Sequence, residues 1–128
     1  MIAIRVLRDR RVVREIVLPA LPVTVGRGAE NDVVLVDPSV SRTHARIEQT
    51  ENGDLRLVDL GSRNGLHVAG RPVGEVLLDR RLTCRLGRVE IEVEPVSDAP
   101  TGEVDAREWR RYERRRAAPR QILSLVVG

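Results

Sequence analysis

Apolar and polar positions alternate from the first residues of the chain. Ile2, Ile4 and Val6 fall on one side of an extended segment, Ile2 to Leu7, and a second segment, Val12 to Leu18, has Val13 and Val17 among its apolar positions. The polar break Arg8-Asp9-Arg10-Arg11 separates them, so the pair reads as a hairpin. Pro22-Val23-Thr24-Val25 predicts a third strand that ends in Gly26-Arg27. Asn31-Asp32 is a turn signal, and Val33-Val34-Leu35-Val36 is an apolar run of strand length. Asp37-Pro38-Ser39 breaks that run, because the residue before a proline is pushed out of helical space.

The alternation resumes at Ala45 to Gln49. Asn52-Gly53 is a strong hairpin signal, and Leu55, Leu57 and Leu60 follow on the next strand with Val58 on its other face. Asn64-Gly65 marks another turn before the short strand Leu66-His67-Val68, and Ala69-Gly70-Arg71-Pro72 turns again. Val76 to Leu78, Leu82 to Leu86 and Val89 to Val93 complete the series, with Gly87-Arg88 as a two-residue turn. About ten short strands in roughly 95 residues, with turn residues between them and no helical period, predict an all-β sandwich or barrel. A parallel α/β fold has no room for its crossover helices.

The pattern changes near residue 96. Val96 to Gly102 reads as a linker, and Glu103 to Ala118 as a helix candidate that Thr101 could cap and Pro119 stops. The chain then ends on an apolar stretch, with Ile122, Leu123, Leu125, Val126 and Val127. That stretch is far short of the ~20 residues a membrane helix needs. The expected organisation is a domain over residues 1–95, a linker over 96–102 and an Arg-rich, partly helical tail over 103–128 with an apolar end.

Composition sharpens this picture. Phe is absent and Trp109 and Tyr112 are the only aromatics, so the core must be aliphatic. All 22 basic residues are arginine, which removes lysine chemistry and supplies planar, bidentate donors suited to phosphate or carboxylate. An all-arginine chain equally fits a GC-rich genome. The net charge of +3 lies wholly in residues 103–128, with 7 Arg against 4 acids, while residues 1–102 balance 15 against 15. The high pI therefore does not imply nucleic-acid binding by the domain. Cys84 stands alone, so no internal disulfide can form, and the N-terminus has no signal-peptide pattern; a cytoplasmic setting is expected. His67 and Cys84 show no ligand spacing, so no metal and no cofactor is expected.

Three loops carry the candidate chemistry: Gly26-Arg27-Gly28, Asp37 to Arg46, and Asp59 to Gly65. A phosphate needs N–H or O–H donors converging from several directions and at least one fixed cation. Arg27 offers a guanidinium fork, Ser41 a hydroxyl, and Arg42 a further cation. Asn64 presents both a donor and an acceptor, better suited to a peptide backbone than to charge. Gly26 and Gly65 permit backbone angles that other residues resist. Ser41, His44 and Asp59 can also be drawn as a hydrolase triad, but Ser41 lies in no Gly-x-Ser-x-Gly elbow, and no enzyme activity is expected.

Gly26-Arg27, Ser41-Arg42-Thr43-His44-Ala45 and Gly61-Ser62-Arg63-Asn64-Gly65, in this order and with Asn31-Asp32-Val33 between the first two, resemble the forkhead-associated (FHA) domain family. The resemblance covers residues 2 to 95. It implies a β-sandwich of about eleven mostly antiparallel strands that binds phosphothreonine on protein partners in Ser/Thr-kinase signalling. By the same resemblance, Arg27 and Ser41 bind phosphate with help from Arg42. Asn64 then holds the peptide backbone, Arg63 lines the pocket, and Gly26, His44 and Gly65 support the loops. Leu66 replaces a frequent family Thr, and Asp79-Arg80-Arg81 replaces a frequent Gly-Asp turn, which bears on partner sequence and not on phosphate donors.

The resemblance implies a phosphothreonine-bearing substrate of a Ser/Thr kinase as partner, and no nucleic acid. Membrane association would enter only if the chain continued past Gly128. Two other readings stay open at this point. One is a phosphate-independent scaffold, and the other is the cytosolic FHA portion of a longer membrane-anchored protein. Thr101 is a further candidate, a phosphorylation site whose modified form could enter the domain's own pocket.

Overall fold

The alternation becomes two packed sheets. The computed structural model describes residues 1–96, 102–103 and 107. The strands are β1 (Ile2–Arg8), β2 (Arg11–Leu18), β3 (Val23–Gly26), β4 (Val33–Val34), β5 (Ala45–Gln49) and β6 (Leu55–Asp59). They continue as β7 (Leu66–Val68), β8 (Arg71–Val73), β9 (Glu75–Leu77), β10 (Leu82–Leu86), β11 (Val89–Pro95) and β12 (Gly102–Glu103). One sheet has the order β12-β2-β1-β11-β10-β7-β8 and the other β4-β3-β5-β6-β9. Every pairing is antiparallel except β3 with β4.

The period of two sets which side chains face the opposite sheet, although β1 is buried on both faces from Ile2 to Arg5. Ile2 and Ile4 of β1 and Ile91 and Val93 of β11 face Val23, Val25, Ile47 and Leu57 of the other sheet, all buried. The largest fully buried side chains are aliphatic, with the single exception of His44 among the described residues. The β1–β2 hairpin turns at Asp9-Arg10, where both residues have positive φ, 52° and 65°, the pattern of a twisted two-residue hairpin turn.

Three local expectations are corrected. The run Val33 to Val36 is a strand only at Val33 and Val34. The Leu35 N–H donates to Gly26 O at 2.8 Å and the Asp37 N–H to Leu35 O at 3.0 Å, which turns the chain before Val36 can pair. The Ala69-Gly70 turn is followed at once by β8, which was read as part of the turn. Pro72 fits there because β8 is the outermost strand of its sheet and needs no donor on its free side.

The third correction concerns Glu103, which opens no helix. It pairs with Ile16 as Gly102 pairs with Val17, so β12 covers the edge of β2. Glu103 Oε1 receives a hydrogen bond from Arg14 Nε at 2.8 Å and stands 2.7 Å from Arg14 Nη2, an ion pair across that edge. Arg107, the other described residue of the expected helix, is helical, while the rest of that helix, Thr101 and the apolar end lie outside the described residues.

The ends of β1, β3, β6 and β10 and the starts of β5, β7 and β11 all fall at one end of the sandwich, because antiparallel neighbours return there. The three candidate loops are therefore neighbours by topology.

Cys84 on β10 lies in the core, and burial, helped by the nearby Glu90 carboxylate, raises its thiol pKa from 9.0 to about 12. A thiol this protonated is a poor nucleophile. The native protein is therefore expected to react with a disulfide reagent at pH 8 at least about 100-fold more slowly than the urea-unfolded chain, followed by absorbance. The sign for stability follows from the raised value. The neutral-thiol contribution is full below about pH 9 and is lost as the pH rises from 9 toward 12.

Candidate functional site

The loop after β3 is pinned by backbone before any side chain acts. Arg27 N–H donates to Ser41 O at 3.0 Å and Gly28 N–H to Arg42 O at 3.0 Å. A Cβ on Gly26 would stand 2.3 Å from Arg42 O, so only glycine allows the two loops to approach this closely. Asn31 completes the lock. Its side-chain amide donates to Gly28 O at 2.8 Å and to Arg42 O at 2.6 Å, and the residue is buried. In the sequence Asn31 stands as a turn signal and as part of the ordered motif set. Its buried bridging role has no signature in sequence spacing.

Arg27 is exposed, but its guanidinium is not free to wander. Nε donates to Val40 O at 3.0 Å, while the two Nη groups have no hydrogen-bond partner among the described residues. Ser41 is half-buried, and its Oγ accepts the Arg63 N–H at 2.9 Å. With one lone pair so occupied, the hydroxyl proton remains available to an acceptor on the open side. The Arg42 main chain is fixed by the bonds to its carbonyl, while its side chain is exposed. Arg63 is exposed too and joins the site through its main chain. Asn64 Nδ2 donates to Ser39 O at 2.8 Å, leaving Oδ1 to accept. The structure thus brings Arg27, Ser41, Arg42, Arg63 and Asn64 into one loop cluster.

His44 sits beneath them with 0% exposure. The Ser41 main-chain N–H points at its Nδ1 at 3.0 Å, and a main-chain N–H can only donate, so Nδ1 is the acceptor. The proton is therefore on Nε2, which donates to Gly65 O at 2.9 Å. The ring is neutral and ties the second loop to the third. Gly65 has φ of +80°, which glycine adopts without strain. The ring meets the Ser41 amide and not its hydroxyl, and Asp59 Oδ1 stands 3.9 Å from Nε2, so the three do not form a relay. Asp59 instead receives the Ser62 main-chain N–H at 3.1 Å and the Ser62 hydroxyl at 2.5 Å, shaping the turn to Asn64.

A fourth loop, not anticipated, buttresses the cluster. The Arg88 N–H donates to Ser39 Oγ at 2.8 Å, and a Cβ on Gly87 would stand 2.3 Å from Ser39 O. The Asp37 carboxylate accepts Ser39 Oγ–H at 2.6 Å and Ser39 N–H at 2.8 Å. Those bonds, with Arg88 nearby, hold its pKa below the ordinary 3.8. Gly87-Arg88 looked like a plain hairpin turn, and nothing in its spacing pointed to Ser39.

Comparison with known proteins places this geometry. The chain is 34% identical over 68 residues to the glycogen accumulation regulator GarA of Mycolicibacterium smegmatis, which is 53% of this chain and 42% of that protein. It is 45% identical over 49 residues to the oxoglutarate dehydrogenase inhibitor of Corynebacterium glutamicum, 38% of this chain and 34% of the inhibitor. It therefore spans less than half the length of these curated relatives. Among solved structures, the FhaA FHA domain complexed with the intracellular domain of Rv3910 superposes with a TM-score of 0.62 and 32% identity, over 73% of this chain and 100% of that one. A domain from a study of phosphothreonine-dependent FHA domain interactions gives a TM-score of 0.64 and 31% identity, over 75% of this chain and 97% of that one. The FHA domain model matches residues 23–87, from the strand that delivers Arg27 to the turn that supports Ser39, and the chain belongs to the FHA domain family.

Proposed function

We propose that the chain is a phosphopeptide-binding module that recognises phosphothreonine on a protein partner, a substrate of a Ser/Thr kinase, and that it catalyses no reaction. The observation that carries this reading is the pair of donors left open at the loop cluster. Arg27 presents its Nη fork because Nε is held by Val40 O, and Ser41 presents its hydroxyl proton because Arg63 N–H occupies Oγ. Both are fixed before any ligand arrives, so little ordering entropy is lost on binding. Arg42 supplies a mobile cation, Arg63 lines the rim, and Asn64 Oδ1 takes a peptide N–H. A domain from a study of phosphothreonine-dependent FHA domain interactions shares the fold at 31% identity, which supports the same use here. A cytoplasmic setting fits a kinase substrate as partner.

The energetics limit what phosphate alone can do. Three or four charge-assisted hydrogen bonds at ~1.5–3 kcal/mol each are of the same order as the ~4–15 kcal/mol that association costs. The flanking peptide must therefore contribute. A hydrophobic or neutral polar scaffold surface would not need Arg27, which gives a clean separation of the two classes.

Arg27→Ala is expected to weaken binding of a phosphothreonine peptide by at least about 100-fold, and Ser41→Ala by about tenfold or more, in fluorescence polarisation. Unphosphorylated peptide should bind neither protein. Retained binding in Arg27→Ala, with the fold intact by circular dichroism, would favour the phosphate-independent scaffold. A separate expectation concerns His44. Its removal leaves the Ser41 N–H and Gly65 C=O unpaired around a cavity, so His44→Ala should lose about 3–5 kcal/mol in urea denaturation. A loss under about 1 kcal/mol would show that the ring is not the tie between the loops.

A further inference from the structure

A groove of about 760 Å³ opens at the same end of the sandwich, between the β1–β2 turn, the Val36-Asp37 segment and the β10–β11 turn. The phosphate reading does not use it. Val36 is 89% exposed and Val13 55% exposed, and both line this one groove. Five arginines line it as well, against three acids, Asp9, Asp37 and Glu90. That excess is local, since residues 1–102 are neutral as a whole. Arg14 is engaged by Glu103 and by Val34 O at 2.8 Å, and Arg88 stands 3.5 Å from Asp37. Arg8, Arg10 and Arg85 have no carboxylate at ion-pair distance among the described residues.

The groove is continuous with the phosphate loops. Asp37 is on its wall and also holds Ser39, whose carbonyl receives Asn64. Asp37 is four residues from Ser41, at most ~14 Å of extended chain, so a bound peptide reaches the groove about four or five residues from its phosphothreonine. The chain's own tail is a poor occupant by charge, because residues 104–128 carry 7 Arg.

We infer that this groove is a second docking surface, which takes an acidic segment bearing an aliphatic side chain from the same partner that carries the phosphothreonine. The inference rests on the phosphopeptide reading. Val13 and Val36 give the aliphatic group a wall to cover, and Arg8, Arg10 and Arg85 face the carboxylates. Phosphate then supplies the switch, and the groove supplies the choice among phosphorylated proteins.

The test is fluorescence polarisation with three phosphothreonine peptides of about fifteen residues. They differ beyond the fourth residue from the phosphothreonine, with a Glu/Leu, a Ser/Gly or a Lys/Leu flank, placed in turn on each side. The Glu/Leu flank on one side should bind about tenfold more tightly than Ser/Gly. Arg8→Glu combined with Val36→Asp, both at exposed positions, should reduce that preference to under about twofold while leaving the Ser/Gly peptide unchanged. Equal affinity for all flanks, a preference for Lys/Leu, or a Glu/Leu preference that survives the double variant would each overturn the groove and leave the phosphate pocket standing. Failure of every phosphopeptide to bind would overturn both.

Discussion

The hydrogen-bonded ring of His44 is the constraint on which the rest of the site depends. Among the described residues it is the one polar group in the set of largest fully buried side chains, and it reaches from the Ser41 amide to the Gly65 carbonyl. Those two groups belong to loops separated by more than twenty residues in sequence, so the ring fixes their spacing with one rigid plane. The direction of each bond follows from chemistry alone, because a main-chain amide cannot accept and a carbonyl cannot donate. The ring must be neutral, and its Nε2 must carry the proton. Charge in the site is consequently left to arginine, whose protonation does not vary near neutrality.

Around that tie, the donors fall into those that hold the loops and those that face outward. The Gly28 amide and the Asn31 side chain are consumed within the protein at Arg42 O. Arg27 shows how the two classes are connected. One of its nitrogens is bound to Val40 O, and the others are left for a ligand. Ser41 repeats the device, since the hydrogen bond that its oxygen accepts decides where its proton can go. Preorganisation of this kind is worth more than an additional contact, because the net gain per hydrogen bond is small and the cost of ordering a loop is not.

Much of this was legible in the chain. The two sheets follow from alternation, as at Ile91 and Val93, where the period of two leaves one face for the core; β1 departs from it, since Ala3 and Arg5 are buried along with Ile2 and Ile4. The loops announced themselves through residues that turn the chain, and Arg27, Ser41 and Asn64 stand out as donors with no core to enter. What was not legible depends on tertiary distance. Asn31 and Ser39 are ordinary turn residues until the fold brings Arg42 O and the Arg88 amide to them. The stop after Val34 was hidden for a related reason. Leu35 spends its amide on Gly26 O, and no local pattern encodes that pairing. Glu103 was misread because an acidic residue at a helix start and one that clamps an arginine across a sheet edge look alike in sequence.

The central claim is that three loops form one seat for a phosphate. Amide chemical-shift mapping of the full chain, titrated with a phosphothreonine peptide and its unphosphorylated twin, tests it most directly. The account predicts that the phosphorylated peptide alone moves the amides of Arg27, Ser41, Arg42, Arg63 and Asn64 together, with a single affinity. It also predicts that the ring of His44 keeps its Nε2–H form when the site is full. Shifts confined to the sheet faces, or the same shifts from both peptides, would contradict it.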